Sequence, residues 1–394
     1  MGIDTQPFLP LCVPSLEGNE LKYVTECIET EWVSSVGKYV NQLEEDMARY
    51  TGSNFAVAVA SGTAALHICL LLSGVQEGDE VIVPTVTFIA PVNAVKYVNA
   101  EPIFMDCDDF YNIDVNKVFE FIESETEFRE GFSYNKKSGA RVSAIVPVHV
   151  FGNAIEMSAL KKKCDERNIK IIEDATESLG TRYCSGVYAG QHTGLVGDFG
   201  CISFNGNKIM TTGGGGMILT NNEQLAKKAK YLTTQAKDDE IAYIHNEIGY
   251  NYRLTNVQAA IGVAQLEQMP KFVESKQRNF YYLKSRIDEI EGLHLLEGPD
   301  YAENNYWMYG LVIDSQAYGL SRDELLMAMG NMNIQCRPIW YLNHLQKPYV
   351  NSFSYKIERA FQAYERTLNI PCSTKLTESE CDRVVLALEK LRKC

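Results

Sequence analysis

The 394-residue sequence has no apolar run of membrane-spanning length, no basic start followed by an apolar block, and no Cys-x-x-Cys pair. The first absence argues against a membrane-spanning helix and the second against a secretory leader. The eleven cysteines are odd in number and scattered, many of them within apolar stretches such as residues 67–72. That pattern reads as reduced thiols in a cytoplasmic protein, with no metal site expected. Positive charge is also in short supply: 37 Lys and Arg face 51 Asp and Glu, a net charge of −14. A field of that sign repels phosphate backbones and excludes nucleic acid as a general partner. The common phosphate-binding spacings are missing as well. The run Gly213-Gly214-Gly215-Gly216 has neither the GxGxxG spacing nor a GK[ST] ending, which argues against a plain nucleotide-binding module.

What is present is an ordinary globular balance, 45% hydrophobic and 22% charged, in a chain longer than one core usually serves. Helices are predicted at 17–30 and 39–50. Strands then follow at 55–59, 80–83, 102–106, 144–148, 169–173, 201–204 and 216–220, with helices at 61–72, 91–97 and 157–167 among them. Strands and helices alternating with short connections predict an α/β sheet that is mostly parallel. A helix at 254–268 meets Pro270, a further helix follows at 273–290, and the pattern then changes. Residues 1–269 therefore read as a large domain with an N-terminal segment, and 270–394 as a smaller α+β domain. The polar stretch 123–139 reads as a surface loop.

Four features carry chemistry. The apolar strand Ile169-Lys170-Ile171-Ile172-Glu173-Asp174 ends in two acids, and ligands of α/β sheets gather at such ends. Asp174 there could face a cationic ring or cap the next helix. Lys208 follows a short strand and precedes four glycines that let the backbone pass close to a flat ligand. It suits either an amine that attacks a carbonyl or a solvated loop lysine. Gly62 and Thr63 open a helix whose free N–H groups and dipole favour an anion, and Ser203 can join them; an ordinary helix cap is the alternative. Phe88 could stack on a ring or pack in the core. Lysine, carboxylate, phosphate donors and aromatic plate are together the parts of a pyridoxal phosphate site.

Their order along the chain resembles the DegT/DnrJ/EryC1/StrS family of sugar aminotransferases. The matching stretches are Ser61-Gly62-Thr63-Ala64-Ala65-Leu66-His67, Glu80-Val81-Ile82-Val83-Pro84 with Thr87-Phe88, and Pro147-Val148-His149. They continue through Glu173-Asp174-Ala175 with Ser178-Leu179-Gly180, Gly197-Asp198, Ser203-Phe204, Lys208, and Gly249-Tyr250-Asn251-Tyr252-Arg253-Leu254-Thr255. The resemblance implies a fold-type I pyridoxal phosphate transferase, whose large domain holds a mostly parallel seven-stranded sheet. It implies that Lys208 joins the cofactor aldehyde, that Asp174 pairs with the ring nitrogen, and that Phe88 stacks on the ring. Gly62, Thr63 and Ser203 would bind the phosphate, and Asn251 would reach the phosphate in a neighbouring subunit of a homodimer. Trp32, Ser34, His149 and His344 would line the substrate pocket.

Many relatives have Gln three residues after the ring aspartate, where it touches the cofactor; this chain has Glu177. The stretches Glu31-Trp32-Val33-Ser34-Ser35-Val36-Gly37 and Phe204-Asn205-Gly206-Asn207-Lys208 are similar to the branch acting on 4-keto-6-deoxy nucleotide sugars of the legionaminic acid type. The resemblance thus implies transfer of the amino group of L-glutamate to C4 of a UDP-linked 2-acetamido-4-keto-2,6-dideoxyhexose. A GDP-4-keto-6-deoxymannose 4-aminotransferase of the perosamine type is the alternative. A deoxygenating relative would carry His in place of Lys208, and a non-catalytic regulator on the same fold would be expected to lose Lys208 or Asp174.

Overall fold

The computed structural model describes residues 6–239 and 241–392. The first five residues and Cys394 lie outside them. The ten described cysteines are free. Among the described residues no helix is long and apolar enough to cross a membrane, and no three His, Cys, Asp or Glu side chains cluster as metal ligands would.

An eight-stranded sheet forms the centre. Its order is Phe55–Val59, Gly216–Thr220, Phe199–Ser203, Lys170–Asp174, Val142–Ile145, Glu80–Pro84, Glu101–Met105 and Ser354–Tyr355. From Phe199–Ser203 to Ser354–Tyr355 every neighbouring pair is parallel; the two pairings of Gly216–Thr220 are antiparallel. Strands such as Glu80–Pro84 and Gly216–Thr220 are buried at every residue. Helices cover both faces, which is why these strands read as continuous apolar runs rather than alternating ones. Helix Gly62–Leu72 is apolar almost all round and buried from Ala64 to Leu70. It leaves the end of Phe55–Val59 at Ser61, whose hydroxyl caps the Ala64 N–H at 3.0 Å.

The sheet has one strand more than the seven expected. Ser354–Tyr355, from the C-terminal region, pairs with Glu101–Met105. Buried Asp106 fixes this return. It accepts from Lys117 Nζ at 2.7 Å and from the N–H groups of Glu358, Arg359 and Ala360 at 2.8–2.9 Å. Chain also crosses the other way: Leu9 bridges Ile334, and the Cys372 N–H donates to the Leu11 carbonyl at 2.7 Å. Pro270 itself lies in the first turn of helix Met269–Ile287. The later region has its own antiparallel sheet, Leu293–Leu295, Tyr309–Ile313, Thr367–Ile370 and Arg337–Pro338.

The stretch 123–139, expected as a loop, is a hairpin of Thr126–Arg129 and Phe132–Asn135. It turns through Glu130 and Gly131, both in the left-handed region at φ 51° and 80°.

Candidate active site

A cleft of about 310 Å³ opens at the C-terminal ends of the central strands. Gly62, Thr63, Phe88, Asp174, Glu177, Ser203 and Lys208 all line it. Seven residues separated by up to 146 positions in the chain thus meet in one cavity. The strand Phe199–Ser203 delivers Ser203 to the opening of helix Gly62–Leu72. The approach is close enough that a Cβ at Gly62 would lie 2.9 Å from the Ser203 Cβ and 3.1 Å from the Thr176 Cγ2. A Cβ at Gly216 would fall 2.6 Å from the Ser61 carbonyl carbon, so glycine is needed on both sides of this crossing. Gly62 and Thr63 sit in the first helical turn, where N–H groups have no carbonyl of their own helix to bond. The cleft there is suited to an anion.

Lys208 rides on residues 204–215, an excursion between two paired strands. Its base is closed by Phe204 N–H to the Gly215 carbonyl at 2.9 Å and Thr212 N–H to the Phe204 carbonyl at 3.0 Å. The Lys208 Nζ lies 3.7 Å from the Glu177 Oε1 and 4.0 Å from the centre of the Trp307 ring. Trp307 is held in turn by its Nε1–H, which donates to the Asn207 carbonyl at 2.7 Å.

Asp174 and Glu177 are each only 2% exposed. Asp174 accepts from the Thr176 N–H at 3.1 Å, and Glu177 accepts from the Phe151 N–H at 2.8 Å. Burial pushes the Asp174 carboxyl up, against the opposing pull of Thr176 and Lys208. Burial likewise pushes the Glu177 carboxyl up to about 7, with Lys208 and the Phe151 N–H pulling the other way. The donor set fits pyridoxal phosphate: an anionic site for the ring nitrogen, an amine for the aldehyde, a helix N-terminus for the phosphate. Phe88, 55% exposed on the cleft wall, offers a flat face.

Other expected residues are not brought to this cleft. His149 is corrected outright as a substrate contact. It is fully buried, its Nδ1 accepts the Ile155 N–H at 3.1 Å, and its Nε2 pairs with Glu173 at 2.9 Å. Both ring nitrogens are spent inside the fold. His344 does not line the cleft either; its Nδ1 meets the Thr85 hydroxyl at 2.7 Å. Trp32 is 56% exposed, and its carbonyl and that of Ser34 bind Asn256 at 2.7 and 2.6 Å. Asn251 is exposed and lies outside its own chain's cleft. Conversely, the cleft includes Thr176 and Trp307, which the sequence did not single out, together with Asn207 and Trp340. Rarity was the available signal for Trp307, one of three tryptophans in the chain.

Comparison with known proteins identifies the family. The model of the DegT/DnrJ/EryC1/StrS aminotransferase family matches residues 14–389. EpsN of Bacillus subtilis (strain 168), described as a pyridoxal phosphate-dependent aminotransferase, is 35% identical over 96% of this chain and 94% of its own length. The GDP-perosamine synthase of Caulobacter vibrioides is 34% identical, with 98% of each chain covered. That of Escherichia coli O157:H7 is 35% identical, with 95% of each covered. Among solved structures, Helicobacter pylori PseC, an aminotransferase involved in the biosynthesis of pseudoaminic acid, superposes with a TM-score of 0.87 at 20% identity, covering 98% of this chain and 99% of its own. At that identity the likeness carries the fold alone. The chain belongs to the DegT/DnrJ/EryC1/StrS aminotransferase family and is a pyridoxal phosphate-dependent aminotransferase.

Proposed function

We propose that this enzyme moves the amino group of L-glutamate to C4 of a 4-keto-6-deoxyhexose carried on a nucleoside diphosphate. The observation that carries the reading is the meeting of Lys208 and Asp174 in one strand-end cleft beside the helix opening at Gly62. Pyridoxal phosphate, when bound, supplies an aldehyde and an electron-withdrawing ring. In this reading Asp174 holds the ring-nitrogen proton, Gly62, Thr63 and Ser203 hold the phosphate, and Phe88 covers the ring face. Lys208 Nζ takes the Cα proton of the amino donor. Trp307 and Trp340 reach the same cleft from the region after residue 270, so the later region closes what residues 1–269 build.

The working unit in this reading is a homodimer. Asn251 lies outside its own cleft, and the neighbouring segment exposes Ile241 and Ile248 to 92% and 83%, an apolar surface suited to a second copy. Asn251 would then serve the partner's phosphate.

Two nucleotide sugars compete as substrate. The local stretches at 31–37 and 204–208 favour a UDP-linked 2-acetamido-4-keto-2,6-dideoxyhexose. The full-length relatives named as GDP-perosamine synthases favour GDP-4-keto-6-deoxymannose, and they weigh more because they match over the whole chain. Incubation with L-glutamate and each sugar in turn, followed by 2-oxoglutarate release and product mass, decides between them. Amination of the GDP sugar at least tenfold faster supports the GDP reading. The reverse preference supports the UDP reading, and no amination of either overturns the 4-keto sugar assignment.

A further inference from the structure

The chain places a carboxyl group beside Lys208, the lysine assigned to the cofactor. Glu177 Oε1 lies 3.7 Å from Lys208 Nζ, and Oε2 is pinned by the Phe151 N–H at 2.8 Å. Phe151 adopts a left-handed backbone at φ 57° to present that N–H. The lysine's other neighbour is the Trp307 ring, whose face attracts an ammonium. Buried Asn305 ties the two walls together. Its Nδ2 donates to the carbonyls of Glu177 and Leu179 at 2.9 Å each, and its Oδ1 accepts the Trp307 N–H at 2.9 Å. One side chain thus fixes both the acid and the aromatic face against Lys208.

We propose that Glu177 and Trp307 form a resting site for the Lys208 side chain, in which Glu177 Oε1 accepts the ammonium proton and so frees the amine. In this step the Nζ–H bond breaks and an Oε1–H bond forms. The pair Glu177 carboxylate and Lys208 ammonium becomes Glu177 acid and Lys208 amine, with no net charge gained or lost. Closing 3.7 Å to the roughly 2.8 Å of a charge-assisted hydrogen bond takes a small torsional shift of the lysine. Burial favours the neutral partners, since two separated charges in the cleft cost more than an acid and an amine. The groups facing this pair are few. Asp174 lines the same cleft from the end of its strand, and the Cys12 thiol of the N-terminal segment lies 3.6 Å from the Asn207 carbonyl. A glutamine at 177 keeps the shape and the Phe151 contact through its carbonyl oxygen but cannot take a proton. Trp307 positions the ammonium; Glu177 is the positioning residue that also holds the proton.

This inference rests on the assignment of Lys208 to pyridoxal phosphate, and its test separates the two. The visible absorbance of the holoenzyme is titrated from pH 6 to 10 for wild type and E177Q. The same two proteins are mixed with L-glutamate, and the decay of that band is followed across the same range. E177Q is expected to keep the band and to shift its titration by one pH unit or more. Its decay rate is expected to fall steeply, by up to about tenfold per pH unit, on acidification across that range, while wild type stays nearly flat. E177D, which retains a carboxylate, recovers part of the flat profile. A band in both proteins with parallel titrations and parallel rate profiles overturns the inference alone. A wild-type protein without any such band overturns the cofactor assignment and this inference with it.

Discussion

Two buried carboxylates sit side by side at the end of one strand, and they are held in opposite ways. Successive residues of a strand point to opposite faces. Glu173 turns away from the cleft and Asp174 turns into it. Glu173 accepts from His149 and from the N–H groups of Gly194, Val196 and Gly197, at 2.6–2.9 Å. Burial would raise its carboxyl, but His149 and these N–H groups outweigh it and hold the group below its usual range. Asp174 and Glu177 have one backbone donor each, and burial leaves both raised. A fully bonded acid braces the fold. A buried acid with spare acceptor capacity is poised for a ligand or a proton.

The sharpest break in this comparison comes from Lys208→Ala. The cleft loses the one amine that lines it among the described residues, so turnover is expected to fall by about 10⁴-fold. Circular dichroism and the unfolding midpoint should stay near wild type, because Lys208 makes no buried structural ion pair beyond Glu177 among the described residues. Asp174→Asn comes next, with turnover expected to drop by about 10²–10³-fold while the cofactor remains bound. Turnover near wild type would remove Asp174 from its role. Glu173→Gln should do the reverse. Stability measured by denaturant unfolding falls by about 3 kcal/mol, because a buried network loses its charged partner, while turnover of the folded fraction changes far less.

Proton linkage sharpens the contrast, since the two kinds of acid have opposite signs. Glu173 has a lowered group, so its contribution is present above the usual carboxylate range and is lost on acidification through the folded value. Glu177 is raised from 4.5 to about 7, so the folded chain binds the proton more tightly. Its contribution is full below 4.5 and declines as pH rises toward 7. In unfolding measurements across that window, E177Q should flatten the loss of stability on raising pH, and Glu173→Gln should not. The smallest effect is expected from Gly62→Ala. Its Cβ would press on the Ser203 Cβ, and affinity for pyridoxal phosphate measured by absorbance titration should weaken by about tenfold.

Sequence reasoning reached the centre of the sheet because its strands are buried on both faces. Phe55–Val59 and Gly216–Thr220 were read with their observed ends. It missed Ser354–Tyr355, where two residues carry too little pattern and Asp106, far away in the chain, sets the pairing. The hairpin at 126–135 was hidden by its polar composition, although Glu130-Gly131 marks a tight turn. Within the site, residues at strand ends and at the helix opening were legible, since strand direction alone sends them to the cleft. His149 shares that position, yet the chain folds back through Phe151 at φ 57° and buries the ring. Trp307 could not be found that way. Its place depends on Asn305 and on the left-handed Tyr306 at φ 47°, which no periodicity announces.

The attachment point is where the account is most exposed. Borohydride reduction of the holoenzyme, followed by digestion and mass spectrometry of the peptides, locates the lysine that carries the cofactor. The account predicts one modified peptide, containing Lys208, and none in Lys208→Ala. A pyridoxyl group on any other lysine, or its persistence in that variant, would contradict it.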